Sequence, residues 1–166
     1  MSNEARYRNG PRTLVPVPVA SETVIDIGDF ICLSGGNAVP PTVLQAAGSE
    51  AATAAAAKDG VKDVFLGIAE NASANGETDE ILVDISLESI YEYPQTAAAA
   101  ISFGDLIEVN ALSTASISYA CEDQVIVAGA TDPIAVCVKA HTSAQGTGTR
   151  IKLLPQAVIN KVVAAD

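Results

Sequence analysis

Short apolar runs separated by turn residues dominate the chain after residue 22. The runs are rich in Val and Ile and are bounded by Gly, Asn, Asp and Ser, which is typical of small all-β domains. Residues 81–87 alternate often enough to indicate a strand with one buried and one solvated face. The pattern predicts a small β-barrel or β-sandwich, with strands at 23–27, 29–33, 64–69, 80–86, 106–109, 124–128, 134–140 and 150–154.

One segment, residues 49–58, has the features of a short helix. Ser49 suits the N-cap, Glu50 suits the positive end of the helix dipole, and Lys58 suits the negative end. The interior is mostly Ala without a bulky apolar stripe, so a flexible Ala-rich loop is the alternative. The sequence therefore predicts at most one short helix.

Residues 25–33 and 101–109 share one pattern, apolar-x-apolar-Gly-Asp-apolar-Ile-x-apolar. The two segments lie 76 residues apart, and the apolar runs that follow each of them lie about 70 residues apart. A Gly-Asp step supplies a turn or bulge, because Gly adopts positive φ and Asp bonds neighbouring amides. We interpret the pattern as an internal duplication with a shared core. The alternative is chance similarity between short Ile-rich strands.

Residues 1–20 differ from the rest of the chain. The prolines remove backbone donors and fix φ near the polyproline value, which predicts an extended arm ahead of a single domain at 21–166. The apolar content of this arm favours docking on a partner protein, and a frayed, solvated terminus is the alternative. The candidate contact residues are Arg6, Tyr7, Arg8, Arg12, Leu14, Val15 and Val17.

The net charge also differs between residues 1–20 and the rest of the chain. The 166 residues include 20 acidic and 9 basic residues, for a net charge of −11. Residues 1–20 have three Arg against one Glu, a net charge of +2, which leaves −13 on residues 21–166. An acidic body repels phosphates at long range, so neither nucleic acid nor an anionic membrane is an expected partner.

Composition and cysteine usage indicate a folded chain made in a reducing cytoplasm. Apolar residues make up 49% and charged residues 17% of the sequence, which is unlike a disordered chain, and the length fits one domain. The Ala-rich run is interrupted by charged residues, so we expect no membrane span. The cysteines are odd in number, include no CxxC pair and follow no secretory leader.

No combination of residues predicts catalysis or a cofactor. His141 is the only histidine and no GxSxG motif is present, so a serine hydrolase has neither its nucleophile elbow nor a placed base. The spacing of Cys32, Cys121 and Cys137 matches no zinc pattern. We therefore expect no enzyme, with no catalytic, cofactor-binding or metal residues.

Two further features have structural interpretations. Residues 71–82 have oxygen ligands at alternate positions like a calcium loop, but Leu82 stands where the bidentate Glu is required, so a solvated hairpin turn is predicted. Tyr91 and Tyr93 lie two apart, on one face of a strand, and are candidates for the core or for a protomer contact.

The order of these elements resembles the small capsid decoration, or cement, proteins of tailed bacteriophages, including the lambda-type head-decoration proteins. The segments that match are 28–33, 66–69, 70–80, 81–87 and 104–109. The most telling stretch is Leu66-Gly67-Ile68-Ala69, followed by Asn75-Gly76-Glu77 and then residues 81–85. The chain departs from the pattern in its Ala-rich 45–60 segment and in its longer 110–133 segment.

The resemblance implies a structural protein that binds the outer surface of an assembled capsid and stabilises it. Its partners are then the major capsid protein and further copies of itself, with a trimer as the favoured oligomer. Arm contacts gain strength when several copies hold both one another and the shell. The alternative is a non-enzymatic β-barrel that binds a receptor or carbohydrate on a particle, but the absence of Trp disfavours a sugar platform.

Overall fold

The computed structural model describes residues 6–46, 53–95, 100–115, 118–139 and 146–155. Strands dominate these ranges. The elements are β1 (Arg6–Asn9), β2 (Leu14–Pro18), β3 (Phe30–Ser34), β4 (Asn37–Val39), α1 (Pro41–Ala46), α2 (Ala54–Val64), β5 (Phe65–Ala69), β6 (Glu80–Asp84), β7 (Ile90–Gln95), β8 (Leu106–Ala115), β9 (Ser118–Ala128), β10 (Ala135–Lys139) and β11 (Gly146–Leu153).

The strands form two sheets. A six-stranded sheet has the order β1-β7-β11-β10-β8-β9, and a five-stranded sheet has the order β2-β6-β5-β3-β4. Their ladders are antiparallel, apart from one parallel pair between Gln95 and Ile126. The sheets pack as a sandwich, and the described strands do not close a barrel. The all-β prediction is confirmed, and the sandwich is the form observed.

The main core lies between the sheets. Phe30 of the five-stranded sheet stacks on Tyr93 of the six-stranded sheet with ring centroids 4.6 Å apart, and it meets Phe65 edge to face. Helix α2 adds Ala57 and Val61 to the same cluster. A second cluster covers the other face of the five-stranded sheet; its members include Val17, Val19, Ile25, Ile31, Leu66, Ile81 and Val83. Strands β3 and β5 of the five-stranded sheet are therefore buried on both faces, whereas β2 and β6 also carry exposed residues.

The same five-strand arrangement occurs in both sheets. Strands β2–β6 have the order β2-β6-β5-β3-β4, and strands β7–β11 repeat it as β7-β11-β10-β8-β9. Each set also has one parallel pair between its first and third strands in chain order. Gln95 of β7 pairs with Ile126 of β9, and Val19, directly after β2, pairs with Ala38 of β4. We call β2–β6 the first repeat and β7–β11 the second repeat.

The registers of the repeats agree residue by residue. Equivalent pairs are Ile31–Gly67 and Ile107–Ala135, Ala69–Val83 and Cys137–Ile151, and Val15–Val83 and Tyr91–Ile151. These pairs give an offset of 76 residues for β2/β7 and β3/β8, and of 68 for β5/β10 and β6/β11. The predicted duplication is confirmed.

The repeats differ in two connections. Gly35 and Gly36 make a tight turn between β3 and β4 in the first repeat, whereas β8 and β9 of the second repeat are 10 and 11 residues long. Conversely, α1 and α2 lie between β4 and β5, where the second repeat has only residues 129–134 between its strands. Each repeat therefore carries its own insertion.

Helix α2 is the helix that the sequence predicts at 49–58, but it lies further along the chain. Its N-cap is Thr53, whose hydroxyl accepts a hydrogen bond from Ala56 N at 3.2 Å. The predicted cap, Ser49, lies outside the described residues. The limit of one short helix is wrong, because α1 is a second one. Its first residue is Pro41, and proline fits the first helical position, where no intrahelical N–H bond is needed.

The segment predicted as an arm lies in the sheets of its own chain. Residues 6–18 are extended, as the prolines predict, but β1 pairs with β7 and β2 pairs with β6. Pro16 and Pro18 fit there because β2 is an edge strand, where a missing N–H costs no ladder bond. Val17 and Val19 are buried. The boundary predicted at residue 20 therefore does not separate an arm from the body.

Candidate partner-binding surface

In each repeat the Gly-Asp step forms a tight turn directly before the second strand, β3 or β8. In residues 26–29 the last N–H donates to the first carbonyl at 3.1 Å, and in residues 102–105 the same bond is 3.2 Å long. Gly28 has a φ of 92° and Gly104 a φ of 88°. These values fit the third position of a type II turn, which calls for glycine because φ is positive.

The Asp side chain of each step stabilises its own turn by accepting a backbone hydrogen bond. The carboxylate of Asp29 accepts a hydrogen bond from Asp26 N at 2.8 Å, and that of Asp105 accepts one from Ser102 N at 2.7 Å. Backbone hydrogen bonds also join the turns to β5 in the first repeat and to β10 in the second. The bonds are Gly28 N to Ala69 O (2.9 Å), Ala69 N to Asp29 O (3.0 Å), Gly104 N to Cys137 O (2.8 Å) and Cys137 N to Asp105 O (2.8 Å).

An apolar side chain is exposed at the second position of both turns. Ile27 is 52% exposed and Phe103 is 76% exposed. A single exposed apolar residue is ordinary, but equivalent exposure at both turns is a property of the repeat. The two side chains stand on backbone that is fixed by several hydrogen bonds. We therefore take Ile27 and Phe103 as the candidate partner-binding surface.

Sequence reasoning did not single out these two residues. Both occupy the apolar position directly before Gly in the shared pattern, which reads as a core position. The available signal was the Gly itself, because the residue before it takes the outward second position of a type II turn.

The arginines at the start of the chain form ion pairs within the chain. Arg8 lies 2.5 Å from Glu92, and Arg12 lies 2.8 Å from Glu70. Arg150 also reaches Glu92 at 3.3 Å. Burial opposes ionisation of Glu92, but Arg8 and Arg150 outweigh it and hold the pKa of Glu92 below its ordinary value. The side chains of Arg8 and Arg12 are about one-third exposed, so their ion pairs remain in contact with solvent.

The other predicted arm residues divide between surface and core. The guanidinium of Arg12 stacks 3.7 Å from the ring centroid of Tyr7, whose hydroxyl donates to Gly10 O. Leu14 is exposed, Val15 is half-buried and Val17 is buried. The side chain of Arg6 lies outside the described part of the structure.

A buried carboxylate anchors the N-terminal segment to the body. Asp84 is fully buried and accepts hydrogen bonds from Thr13 N at 3.1 Å, Ser86 N at 3.0 Å, Ser89 Oγ at 2.6 Å and Tyr91 Oη at 2.7 Å. Four donors of this kind compensate the loss of water around a charged group. Sequence reasoning missed this anchor, although an Asp inside an apolar strand is itself a signal.

Tyr91 and Tyr93 belong to the core and not to a protomer contact. Both are almost fully buried within the chain. The hydroxyl of Tyr93 donates to Gly28 O at 2.7 Å, and that of Tyr91 lies 2.7 Å from both Glu70 and Asp84. Burial raises the pKa of each phenol, and the nearby carboxylates raise it further. Of the two predicted roles, the core is the observed one.

Other side chains that could bind metals or react have structural roles. Cys32, Cys121 and Cys137 are buried, and burial raises the pKa of the Cys137 thiol. In the calcium-like segment, Glu77 accepts from Ala74 N at 2.8 Å and Asn71 accepts from Leu82 N at 3.1 Å, so both side chains hold the hairpin. His141 lies outside the described residues.

The described residues contain neither a metal-binding cluster nor a membrane-spanning helix. No group of three or more His, Cys, Asp or Glu side chains among them is arranged to hold a metal ion. No helix within the described ranges is long and apolar enough to cross a bilayer.

Comparison of the chain with models of known protein families, with curated proteins and with solved structures finds no match.

Proposed function

We propose that the protein is a structural, non-enzymatic virion component. It binds the outer surface of an assembled phage capsid as a homo-oligomer and stabilises that shell. The observation that carries the proposal is the pair of exposed apolar side chains, Ile27 and Phe103, on equivalent rigid turns. Two equivalent anchors on one chain suit a partner that presents its own surface repeatedly, as a capsid lattice does.

The geometry of the turns favours protein binding over catalysis. A Phe that is 76% exposed loses contact with water when it enters a pocket of a partner, which is a common source of interface affinity. Its backbone is held by the Asp105 and Cys137 hydrogen bonds, so little conformational entropy is lost on binding. Two such anchors per chain then act together through multivalency.

The N-terminal segment has a different role in this proposal from the one the sequence suggests. Arg8 and Arg12 are engaged with Glu92 and Glu70, and β2 completes a sheet of its own chain. The segment stabilises the body, and its exposed Leu14 adds to the capsid contact. The acidic surface keeps the free protein soluble and keeps it away from the packaged genome.

Co-sedimentation with capsids assembled from the cognate major capsid protein tests the proposal. The test variants are Phe103→Ser, Ile27→Ser and the double variant, and the control is Leu87→Ser, which alters a half-exposed apolar residue between β6 and β7. We expect a large loss of capsid binding for the double variant, a smaller loss for each single variant and no loss for the control. Thermal unfolding should change little, because at least half of each altered side chain is exposed.

Two results would overturn the proposal. One is the absence of wild-type protein from sedimented capsids at any concentration. The other is wild-type binding by the double variant, which would remove the turns from the contact. A capsid heat-resistance assay gives a second readout, because a bound cement protein raises the temperature at which the shell opens.

A further inference from the structure

Acidic and basic residues are divided unevenly between the two repeats. Residues 13–46 and 65–87, which contain every strand of the first repeat, include eight Asp and Glu and no Lys or Arg. The basic residues that the structure describes lie on β1 and its connection to β2, on α2, on β10 and on β11. Opposite charges are therefore concentrated on different parts of one molecule.

Strand β7 identifies the outer face of the six-stranded sheet. Tyr91 and Tyr93 lie in the main core, so Glu92 between them lies on the opposite, outer face. Arg150 of β11 pairs in register with Glu92, and Lys139 of β10 pairs with Arg150. Because cross-strand partners share a face, both basic side chains lie on the outer face.

Two more basic side chains belong to this face. Lys152 lies two residues after Arg150 on β11, and Arg8 of β1 forms an ion pair with Glu92. We call the following residues the basic face: Arg8, Lys139, Arg150 and Lys152. Within the described residues their ion-pair partners are Glu88 and Glu92, so the basic residues outnumber these partners by two.

The basic face is accessible to a partner. Lys139 is exposed, and about one-third of each of the other three side chains is exposed. Helices α1 and α2 pack chiefly on β3, β8 and β9, which are not the strands of the basic face. The ion pair between Lys152 and Glu88 is solvent-exposed, and pairs of this kind exchange for others at little cost.

Apolar side chains continue the basic face. Val136 of β10 pairs in register with Lys152 on one side and with Leu106 of β8 on the other, so these three share the outer face. Leu106 is exposed and Val136 is half-buried. The face thus combines positive charge with apolar surface, as protein-binding surfaces do.

An acidic cavity lies at the opposite end of the sandwich. Ser73 pairs with Ile25, and Ile25 belongs to the second cluster, on the face of the five-stranded sheet that is remote from the six-stranded sheet. A cavity of about 460 Å³ opens here, and it is lined by three acidic residues and by no basic residue of the described ranges. The lining includes Asn71, Ser73, Glu77, Asp79, Glu80 and Leu82. We call this the acidic cavity.

The acidic cavity offers groups that a cationic side chain can use. None of the ion pairs within the described residues reaches Glu77, Asp79 or Glu80. Ser73 is 4% exposed, and its hydroxyl has no hydrogen-bond partner in the part of the chain that the structure describes. An ammonium or guanidinium group supplies both the positive charge and the donors that these groups lack. Leu82, which is exposed, adds an apolar side chain to the rim.

We propose that copies of this protein associate head to tail, with the basic face of one copy docked on the acidic cavity of the next. This inference rests on the proposed function, which includes a homo-oligomer, and it names the two surfaces through which the copies hold one another. The contact joins two different surfaces, so it generates a ring when the rotation between copies closes.

The local charges, and not the net charge of −11, decide this contact. Exposed charges farther apart than about 8 Å are largely screened at physiological salt, so the groups that face each other dominate. These groups have opposite signs when unlike ends meet and the same sign when like ends meet. Charge complementarity therefore selects the head-to-tail orientation.

Charge reversal in two separate variants tests this inference. The first is Lys139→Glu with Lys152→Glu on the basic face, and the second is Asp79→Lys with Glu80→Lys at the acidic cavity. We expect sedimentation velocity over a concentration series to give the wild type the mass of an oligomer at about 0.1 M salt and that of a monomer at about 1 M salt, where the screening length is about 3 Å. Each variant alone should be monomeric at both salt concentrations.

An equimolar mixture of the two variants should recover the oligomer. The reversed face of one variant then meets the reversed cavity of the other, and their unaltered surfaces also match. Recovery shows in addition that both variants are folded. If a double variant does not fold, Lys139→Glu and Asp79→Lys as single substitutions should give the same pattern with smaller shifts.

A control separates local charge from net charge. Asp63→Lys on α2, where the Asp63 side chain is 64% exposed, also makes the chain less negative but lies outside both surfaces. We expect it to leave the oligomer intact. If net charge governed association, the variant with Asp79→Lys and Glu80→Lys would associate more strongly than the wild type and not less.

Three results would overturn the inference: a monomeric wild type at every concentration, an oligomer that survives either pair of substitutions, or a mixture of folded variants that stays monomeric. These measurements use free protein, so their outcome is separate from that of capsid binding. A monomer that still sediments with capsids through Phe103 leaves capsid binding standing and removes only the contact between copies.

Discussion

The carboxylate of Glu108 lies in the space that a Cβ atom on residue 129 would occupy, and Gly129 leaves that space free. Within this pocket Glu108 accepts hydrogen bonds from Thr131 N at 2.9 Å and Asp132 N at 3.0 Å, and it pairs with Lys58 of α2 at 2.9 Å. A second pair joins Lys62 and Asp132 at 3.0 Å. The helix inserted in the first repeat is thereby fastened to the second repeat.

Gly129→Ala should displace the Glu108 carboxylate and destabilise the protein by roughly 3 kcal/mol, because the displaced group leaves Lys58 and two amides unpaired. Urea unfolding measures the change. In a Glu108→Ala background the same substitution should cost much less, since the overlap is gone. The control is Gly60→Ala inside α2, where a Cβ meets nothing within 4 Å and Ala should stabilise by about 0.5–1 kcal/mol. Equal changes in the free energy of unfolding for Gly129→Ala and Gly60→Ala would contradict the role of Gly129 in making room for Glu108.

The ionisation of Glu108 links stability to pH. Burial opposes the charge of Glu108, but the Asp132 amide, Lys58 and the Thr131 amide outweigh burial and hold its pKa below 4.5. A folded-state pKa below the unfolded one means that this stabilisation is present above about pH 4.5 and is lost as the pH falls through the folded pKa. The free energy of unfolding should therefore decrease on acidification. Glu108→Gln should flatten this dependence, and Glu80→Gln, at an exposed position, should not. Parallel slopes for the wild type and Glu108→Gln would count against this role.

Asp84→Ala should release the N-terminal segment. The substitution removes the acceptor for Thr13 N and for three further donors, at a cost of roughly 3 kcal/mol or more. Tryptic cleavage after Arg8 and Arg12 should accelerate before the rest of the chain becomes sensitive. The control is Asp79→Ala in the exposed hairpin turn. Uniform acceleration at every site would show that Asp84 acts only on global stability.

Gly104→Ala should destabilise the second repeat through backbone conformation alone. A Cβ at this position meets nothing within 4 Å, but φ is +88°, so we expect a cost of about 1–2 kcal/mol. Gly104→Asn should cost less, because Asn tolerates positive φ better than Ala. Thermal unfolding of the two variants compares them. An equal loss of stability in both would indicate a steric cause and not a conformational one.

The buried thiols give a check on the core. Cys32, Cys121 and Cys137 are all fully buried, so a thiol reagent such as DTNB should react with none of them in the folded protein. Titration with urea should expose all three in a single transition, because Cys32 of the first repeat shares the main core with the other two. Early reaction of Cys32 alone would show that the first repeat opens independently.

The sequence predicted the parts of the fold that local chemistry determines. The steps at Gly28 and Gly104 were recognisable because a turn with positive φ selects glycine. The short strand β4 and the helix at Pro41 were missed, because their patterns are too short to rise above the surrounding turn signals. The location of residues 6–18 could not be read from the sequence either, since an extended, proline-rich segment has the same local pattern whether it binds its own chain or another.

In the candidate site, too, the sequence indicated some residues but not the contacts that depend on the tertiary fold. The sequence predicts that Arg8 and Arg12 contact a partner protein. Their ion-pair partners within the chain, Glu92 and Glu70, lie far along the sequence and follow from the tertiary fold. Phe103 is one of the apolar positions of the shared pattern, and its outward direction depends on the turn geometry.

The pairing of β1 and β2 with distant strands also sets an order of events during synthesis. Residues 6–18 are synthesised before β6 and β7 and cannot pair until those strands have been made, so this segment carries an unsatisfied β-edge in that interval. Exposure of Leu14, Val15 and Val17 in that interval makes the nascent chain sensitive to aggregation, and a slower decoding rate before β6 would lengthen it.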